Sequence, residues 1–435
     1  MIDRRIAPPI SGYKKVALHF PEPVMLRNGI PVWVVGDGDD EVNRLDVLVG
    51  GGAYQEQKPL LAYLAGMLCF EGNVNMSAEA ISEAFDYYGA LKSAQPHDHC
   101  TMLSVSSLNH TFVHIADILR GCMQHPTYSP AECALYQQCI ASNLATAMER
   151  VDYLASVELK RMYYGKHHPG AKEVTPDGVK GITGDDLKQF HQQYYHADNV
   201  RIVFSGKVTD REMKILDSTL GAWDKHGMKV DESVVPEIQS TSEKLSIIDK
   251  PEALQSAIEM CIPAVPRRHP DYFKLRLLVT AFGGYFGSRL NMNIREDKGY
   301  TYGIHAMLLG KSHEAVISIY SSCATDHTWK LIDEVKHEMA RLREELMSEA
   351  ELHTVKQHML SELMKTLDTP FSKARYVGDW FTCGVYPEYF NNQVDAIMEC
   401  RAEDVREMAQ KYLLDDKILL AIAGDKQKIA LLRKN

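Results

Sequence analysis

The chain has 435 residues, of which 45% are hydrophobic and 24% charged, enough for two or three folded domains and too apolar for a disordered chain. A formal net charge of -10 argues against non-specific nucleic-acid binding, which needs a positive field. The longest apolar run, Leu60 to Phe70, falls short of the ~20 residues that cross a bilayer, so no membrane span is predicted.

In chain order, the opening MIDRRIAPPISGYKK carries charge without an apolar core and does not read as a secretory signal. The nine cysteines contain no CxxC pair, and Cys69 and Cys139 fall in apolar segments, so they are expected as buried reduced thiols of a cytoplasmic protein. NGIPVWVV and VNRLDVLVGGGAY read as consecutive strands, and AYLAGMLCFEGN (62–73) as a buried helix entering a glycine turn. Ser77 caps a helix with Ile81, Phe85 and Tyr88 on one face, and Gly89 stops it. Ser129-Pro130-Ala131-Glu132 is a capping box with proline at the first helical position, opening a long helix. Residues 225–244, KHGMKVDESVVPEIQSTSEK, are polar and aperiodic and read as a linker. Beyond it, Trp329 to Leu346 sets Leu331, Val335, Leu342 and Leu346 on one stripe, and Ser348 with Glu351 predicts a second capping box.

The halves repeat one another. ITGDDLKQFHQQYYHADNVRIVFSGKV, from Ile182, aligns without a gap to CRAEDVREMAQKYLLDDKILLAIAGDK, from Cys400, matching Tyr194 to Tyr412 and Gly206 to Gly424. A repeat of that size implies a duplicated domain. The expected fold is α+β: residues 1–224 and 245–435 as homologous domains joined by 225–244, each a mainly antiparallel sheet with helices on one face.

Candidate chemistry lies in REDKGYTYGIHA. A helix carrying Arg295 stops at Gly299, and an alternating strand follows with Tyr300 and Tyr302 on one face. Arg295 and Tyr302 flank this junction, and a guanidinium with a phenol could hold a carbonyl and the oxyanion developing from it. The plain alternative pairs Arg295 with Glu296 or Asp297 and leaves the tyrosine at the core edge. Other sets are weaker. His97, Asp98, His99 and Cys100 share a polar turn, His110 and His114 lie in a stretch that reads as extended, and His167 and His168 fall at a proline turn. No Walker-type loop or GxSxG nucleophile motif occurs, and FGGYFG lacks the context of a dinucleotide site.

Arg-x6-Tyr enclosing Lys-Gly resembles the C-terminal signature of the pitrilysin/insulinase-type zinc peptidases, which include the mitochondrial processing peptidases and cytochrome bc1 core proteins. AFGGYFGSRL is similar to the glycine-rich segment that family places before it, which implies substrate contacts at Gly283 and Gly284. LRNGIPVWVV, GGGAYQE and YYGKHHPGA match in order, so the resemblance runs from about Leu26 to Gly424. Active relatives carry His-x-x-Glu-His on a helix. In that frame this chain has Tyr63 and Met67 at the histidine positions and Gly66 at the glutamate. The region of the third ligand, CALYQQCIASNLATAM, has no carboxylate. A phenol, a thioether and a hydrogen do not make a zinc site.

The resemblance therefore implies a subunit with no metal or cofactor of its own. Its partner would be a homologous zinc-binding chain in a heterodimer, with a homodimer as another possibility. Arg295 and Tyr302 would act on a peptide bound along an open strand edge, for which EAVISIYSS is a possible platform. The alternative is an inert scaffold, like the bc1 core proteins of that family.

Overall fold

The computed structural model describes residues 17–433 apart from 225, 226 and 228, so the N-terminal stretch read for a signal lies outside the described residues. In the first half, strands β1 (Pro23–Met25), β2 (Pro31–Val35), β3 (Val42–Gly50), β4 (Leu91–Pro96), β5 (Cys100–Leu108) and β6 (Val200–Gly206) form one sheet, ordered β1-β2-β6-β3-β5-β4. In the second, β7 (Leu245–Asp249), β8 (Gln255–Ala264), β9 (Thr301–Gly310), β10 (Ala315–Ala324) and β11 (Leu419–Gly424) are ordered β7-β11-β8-β10-β9. Apart from the short β1, the two orders are the same. In each sheet the last strand runs parallel to the first of the shared set, β6 with β2 and β11 with β7, and the other pairings are antiparallel.

The helices repeat as well. Helices α1 (Leu61–Leu68) and α2 (Ala78–Tyr87) precede β4. Helices α3 (Phe112–Gln124), α4 (Pro130–Ala147), α5 (Val151–Tyr164), α6 (Pro176–Lys180) and α7 (Gly184–Tyr194) precede β6, and α8 (Asp210–Thr219) follows it. In the second half, α9 (Tyr272–Val279) and two π-helical stretches, Thr280–Gly284 and Asn291–Asp297, precede β9. Helices α10 (Thr328–Glu344), α11 (Glu349–Lys365), α12 (Pro370–Cys383), α13 (Tyr389–Glu399) and α14 (Ala402–Tyr412) precede β11, and α15 (Lys426–Leu432) follows. The aligned segments are α7–β6 and α14–β11; α7 opens on a capping box of Thr183 with Asp186, and at the start of α14 the Asp404 carboxylate accepts the Arg401 N–H at 2.8 Å. Two glycines in left-handed conformation, Gly89 at φ 61° and Gly299 at φ 64°, turn the chain into the edge strands β4 and β9.

Each sheet carries its own helices on one face, and each half has its own large apolar core there. The opposite face of each sheet is covered by a helix from the other half. Helix α5 crosses β8 and β11, with Ala155 against Ala257 and Ala423 and with Leu159 and Met162 against Cys261 and Leu419. Helix α12 crosses β2 and β6, placing Ala374 and Val377 on Trp33, Leu48 and Val203. Burial on both faces accounts for the aliphatic run of β11, buried at every position, and for the buried Ile202, Val203 and Phe204 of β6.

Some local expectations are corrected. Ser129 and Ser348 accept the N–H groups of Glu132 and Glu351, but neither capping box closes. The Glu351 carboxylate instead takes a two-pronged bond from Arg289, at 2.7 and 2.9 Å, a stronger charge-assisted arrangement. Leu346 lies beyond the end of α10 and is exposed. Cys139 is exposed too, because it lies on the outward side of α4, whereas Cys69 is buried. The stretch from His110 to His114 leads into helix α3 rather than a strand. Strand β10 lies between β8 and β9, so EAVISIYSS offers no open edge.

Candidate functional site

Helix α1 carries the positions that correspond to a metal motif. It starts after Leu60, a non-glycine residue at φ 69°, and its side-chain cap comes from upstream: the Glu56 carboxylate accepts the N–H groups of Leu60 at 3.3 Å and Ala62 at 3.1 Å. Burial raises the Glu56 pKa, although these backbone donors oppose the shift. Tyr63 and Met67 lie one turn apart and half-buried, with Gly66 fully inside. A Cβ on Gly66 would lie 2.8 Å from Thr101 Cγ2 and 3.2 Å from Ala94 Cβ, so the helix rests directly on β4 and β5. On the side of α4, Tyr136 donates to Glu71 at 2.8 Å, and Glu71 also receives Lys92 Nζ at 3.0 Å. The zinc of the resembling family does not fit these residues: their donors are wrong for the ion, and the glutamate position has no room for a side chain. Among the described residues, no group of three or more His, Cys, Asp or Glu side chains could hold a metal ion.

The second half contains the corresponding junction with different chemistry. Gly283 is buried, and a Cβ there would lie 2.6 Å from Ala306 Cβ, so a glycine again lets the first helix rest on the edge strand. Gly284, by contrast, is exposed. The buried Asn291 ties the following helix to β9, donating to the carbonyls of Tyr285 at 3.2 Å and Ile304 at 3.0 Å. That helix is π-helical from Asn291 to Asp297, an uncommon form often found at functional sites, and it carries Arg295. The guanidinium lies 4.9 Å over the Phe286 ring and 3.4 Å from Glu296, one of the plain partners the sequence offered.

Tyr302 is 94% exposed and, among the described residues, bonds neither Arg295 nor any other side chain. Tyr300 precedes β9, is half-buried and stacks on His327 at 4.8 Å, and the β9–β10 register shifts between Ser321 and Cys323, next to Tyr302. The structure thus sets Arg295 and Tyr302 at the two ends of one helix–turn–strand corner, without a direct bond between them.

Of the other candidate histidines, two serve packing and two are exposed. His114 stacks on Tyr88, His110 is an exposed turn residue, and His167 is exposed. His168 is buried, accepts the Gly170 N–H at 2.9 Å and stacks on Tyr164. Burial lowers the pKa of His97, His99 and His168, favouring neutral rings. Asp98 is engaged across the halves, receiving Lys311 Nζ at 2.9 Å.

Sequence reasoning missed the cluster around Lys311. Its ammonium also lies 3.2 Å from Glu314, which accepts the Tyr164 hydroxyl at 2.9 Å, and it sits near the faces of Tyr54 and Tyr164. Burial would lower its pKa, but Asp98, Tyr164 and Glu314 together hold it well above the usual lysine value. Lys311, Asp98, Glu314 and Tyr54 border a cavity of about 610 Å³ between the halves, walled also by Trp33 and Trp380. The only sequence signal was the polar turn at residues 97–99. Nothing in its spacing pointed to a lysine more than two hundred residues away.

The chain is thus a duplicated two-sheet protein with a matching helix-to-edge-strand corner in each half. The comparisons with known proteins agree. Residues 181–359 match the family described as Peptidase M16 inactive domain. It is 23% identical over 350 residues to a Bacillus subtilis protein called uncharacterized zinc protease YmxG, covering 80% of this chain and 84% of that one. It is 20% identical over 383 residues to the Helicobacter pylori non-peptidase homolog YmxG, covering 87% and 88%. A crystal structure of a peptidase M16 inactive domain from Pseudomonas fluorescens superposes with a TM-score of 0.83 at 20% identity, covering 93% of this chain and 98% of that one.

Proposed function

We propose that this chain is the metal-free member of a paired M16 assembly, its partner being a homologous chain that carries His-x-x-Glu-His and zinc. The observation that supports this most is Tyr302: a phenol 94% exposed at the start of an edge strand, a few residues beyond Arg295. An extended peptide adding to the free edge of β9 would pass this corner, and Arg295 and Tyr302 would hold its scissile carbonyl while the partner carries out hydrolysis. Among the described residues β9 is an edge strand of its sheet, as is β7, whereas β10 is interior. Among the described residues no helix is long and apolar enough to cross a membrane, and all nine thiols are free, which fits a reducing cytoplasm.

A scaffold role without catalysis is the second reading, favoured by the engagement of Arg295 with Glu296 and Phe286. One experiment separates the two. The purified chain and the homologous zinc-motif protein from the same source are assayed on quenched peptides, singly and mixed. Activity confined to the mixture and reduced roughly a hundredfold by Arg295→Ala or Tyr302→Phe supports the assisting role. A stable but inert complex selects the scaffold, and stoichiometric zinc on this chain alone overturns both.

A further inference from the structure

A second cavity, of about 430 Å³, lies within the second half, where α9 and the glycine-rich segment meet α11, α12 and α13. Three arginines line it: Arg267, Arg276 and Arg375. Among the described residues none of the three has a carboxylate within 4.0 Å. Arg267 donates to the Gly310 carbonyl at 2.7 Å and toward the Tyr389 hydroxyl at 3.4 Å, while the Arg276 and Arg375 side chains make no hydrogen bond among the described residues. The opposing charge is small. Asp379 and Glu362 are the carboxylates lining the space, and Lys365 already neutralises Glu362 at 2.6 Å. His358, also on the wall, stacks on Tyr285. Three guanidiniums around one unpaired carboxylate leave a net positive hollow.

Two further polar groups lack partners there. Gln393 is only 1% exposed, and among the described residues its Oε1 has no hydrogen-bond partner and the buried Tyr376 hydroxyl has none either. Both residues line this cavity. Buried polar groups are satisfied almost without exception, so an orphaned amide and an orphaned phenol on the wall of an arginine-rich space call for a ligand with oxygen atoms. The carboxamide can turn to present N–H, the phenol donates, and the guanidiniums offer planar forks suited to carboxylate or phosphate. The volume suits a small organic molecule rather than a polypeptide.

We infer that this cavity is a binding site for a small organic anion, held through a carboxylate or phosphate group by Arg267, Arg276 and Arg375 with Tyr376 and Gln393. It is separate from the β9 corner and stands whether or not the chain assists a peptidase. The test is isothermal titration of the full chain with citrate and with inorganic phosphate at constant ionic strength, with chloride as the control. The expected result is saturable binding of one or both with a dissociation constant of about 1 mM or tighter. A preference for citrate assigns a carboxylate ligand and a preference for phosphate a phosphorylated one. Arg276→Gln with Arg375→Gln should weaken binding at least roughly tenfold, and so should Gln393→Leu, which keeps the packing volume. The exposed Arg401→Gln should leave it unchanged. Circular dichroism confirms that each variant folds. Absence of saturable binding, or equal binding by wild type and both cavity variants, overturns the inference.

Discussion

Gly66 on α1 stands so close to Thr101 on β5 that a single added methyl would lie 2.8 Å from the threonine Cγ2. A glutamate at position 66 would therefore press against the sheet. Restoring the motif by Tyr63→His, Gly66→Glu and Met67→His should lower stability by about 2–4 kcal/mol, because a buried carboxylate must displace α1 from the sheet. Urea denaturation would measure the loss, and metal analysis after dialysis should find less than one zinc per chain.

The exchanged helices make the two halves interdependent. Ala155 on α5 is fully buried against Ala257 and Ala423 of the second sheet. Ala155→Leu overfills that contact and should cost about 1–3 kcal/mol. Tryptophan fluorescence and far-ultraviolet circular dichroism should then show one coincident transition at a lower denaturant concentration, although the substitution lies in the first half. Two separated transitions would mean that the halves unfold independently.

Glu259 on β8 lies beneath α5, where burial raises its pKa to about 7 from an ordinary 4.5; Lys160 opposes the shift and Asp152 adds to it. The folded state thus holds a proton that the unfolded state has released across that interval. Its stabilising contribution is complete below pH 4.5 and is lost as the pH rises through 7. Glu259→Gln should remove this slope and raise stability at pH 8 by roughly 1–3 kcal/mol. Thermal melts of both proteins from pH 5 to pH 8 would show the difference.

Lys311 links the halves through Asp98 and Glu314. Lys311→Met leaves two carboxylates facing each other in a partly buried site and should cost about 1–2 kcal/mol, discounted because a third of the lysine side chain meets solvent. Adding Asp98→Asn should recover part of that loss in a double-mutant cycle.

Arg295→Ala and Tyr302→Phe should each change folding stability by less than about 0.5 kcal/mol, since Tyr302 is almost wholly exposed and Arg295 is held by surface contacts. A thermal melt that drops by many degrees would instead give these residues a structural role and undermine their use as probes of activity.

Much of the architecture was legible in the residues. The gapless repeat from Ile182 and Cys400 became the α7–β6 and α14–β11 units, and Ser77 and Gly89 bound α2 as expected. Where prediction failed, a distant partner had intervened: Glu351 left its own helix end for Arg289. Gly283 looked like a substrate residue by resemblance, and the structure gives it a packing role against Ala306.

By itself the sequence determined the duplication, the order of helices and strands, and the absence of zinc donors at residues 63, 66 and 67. Periodicity, capping and ligand chemistry are carried by residues a few places apart. Only the tertiary structure decided that β9 is an edge and β10 is not, that α5 and α12 cross to the opposite sheets, and that Lys311 meets Asp98. Three arginines were likewise drawn around one cavity by folding alone. Such contacts join residues far apart in the chain, and their partners are chosen by how whole elements pack, which no local pattern records.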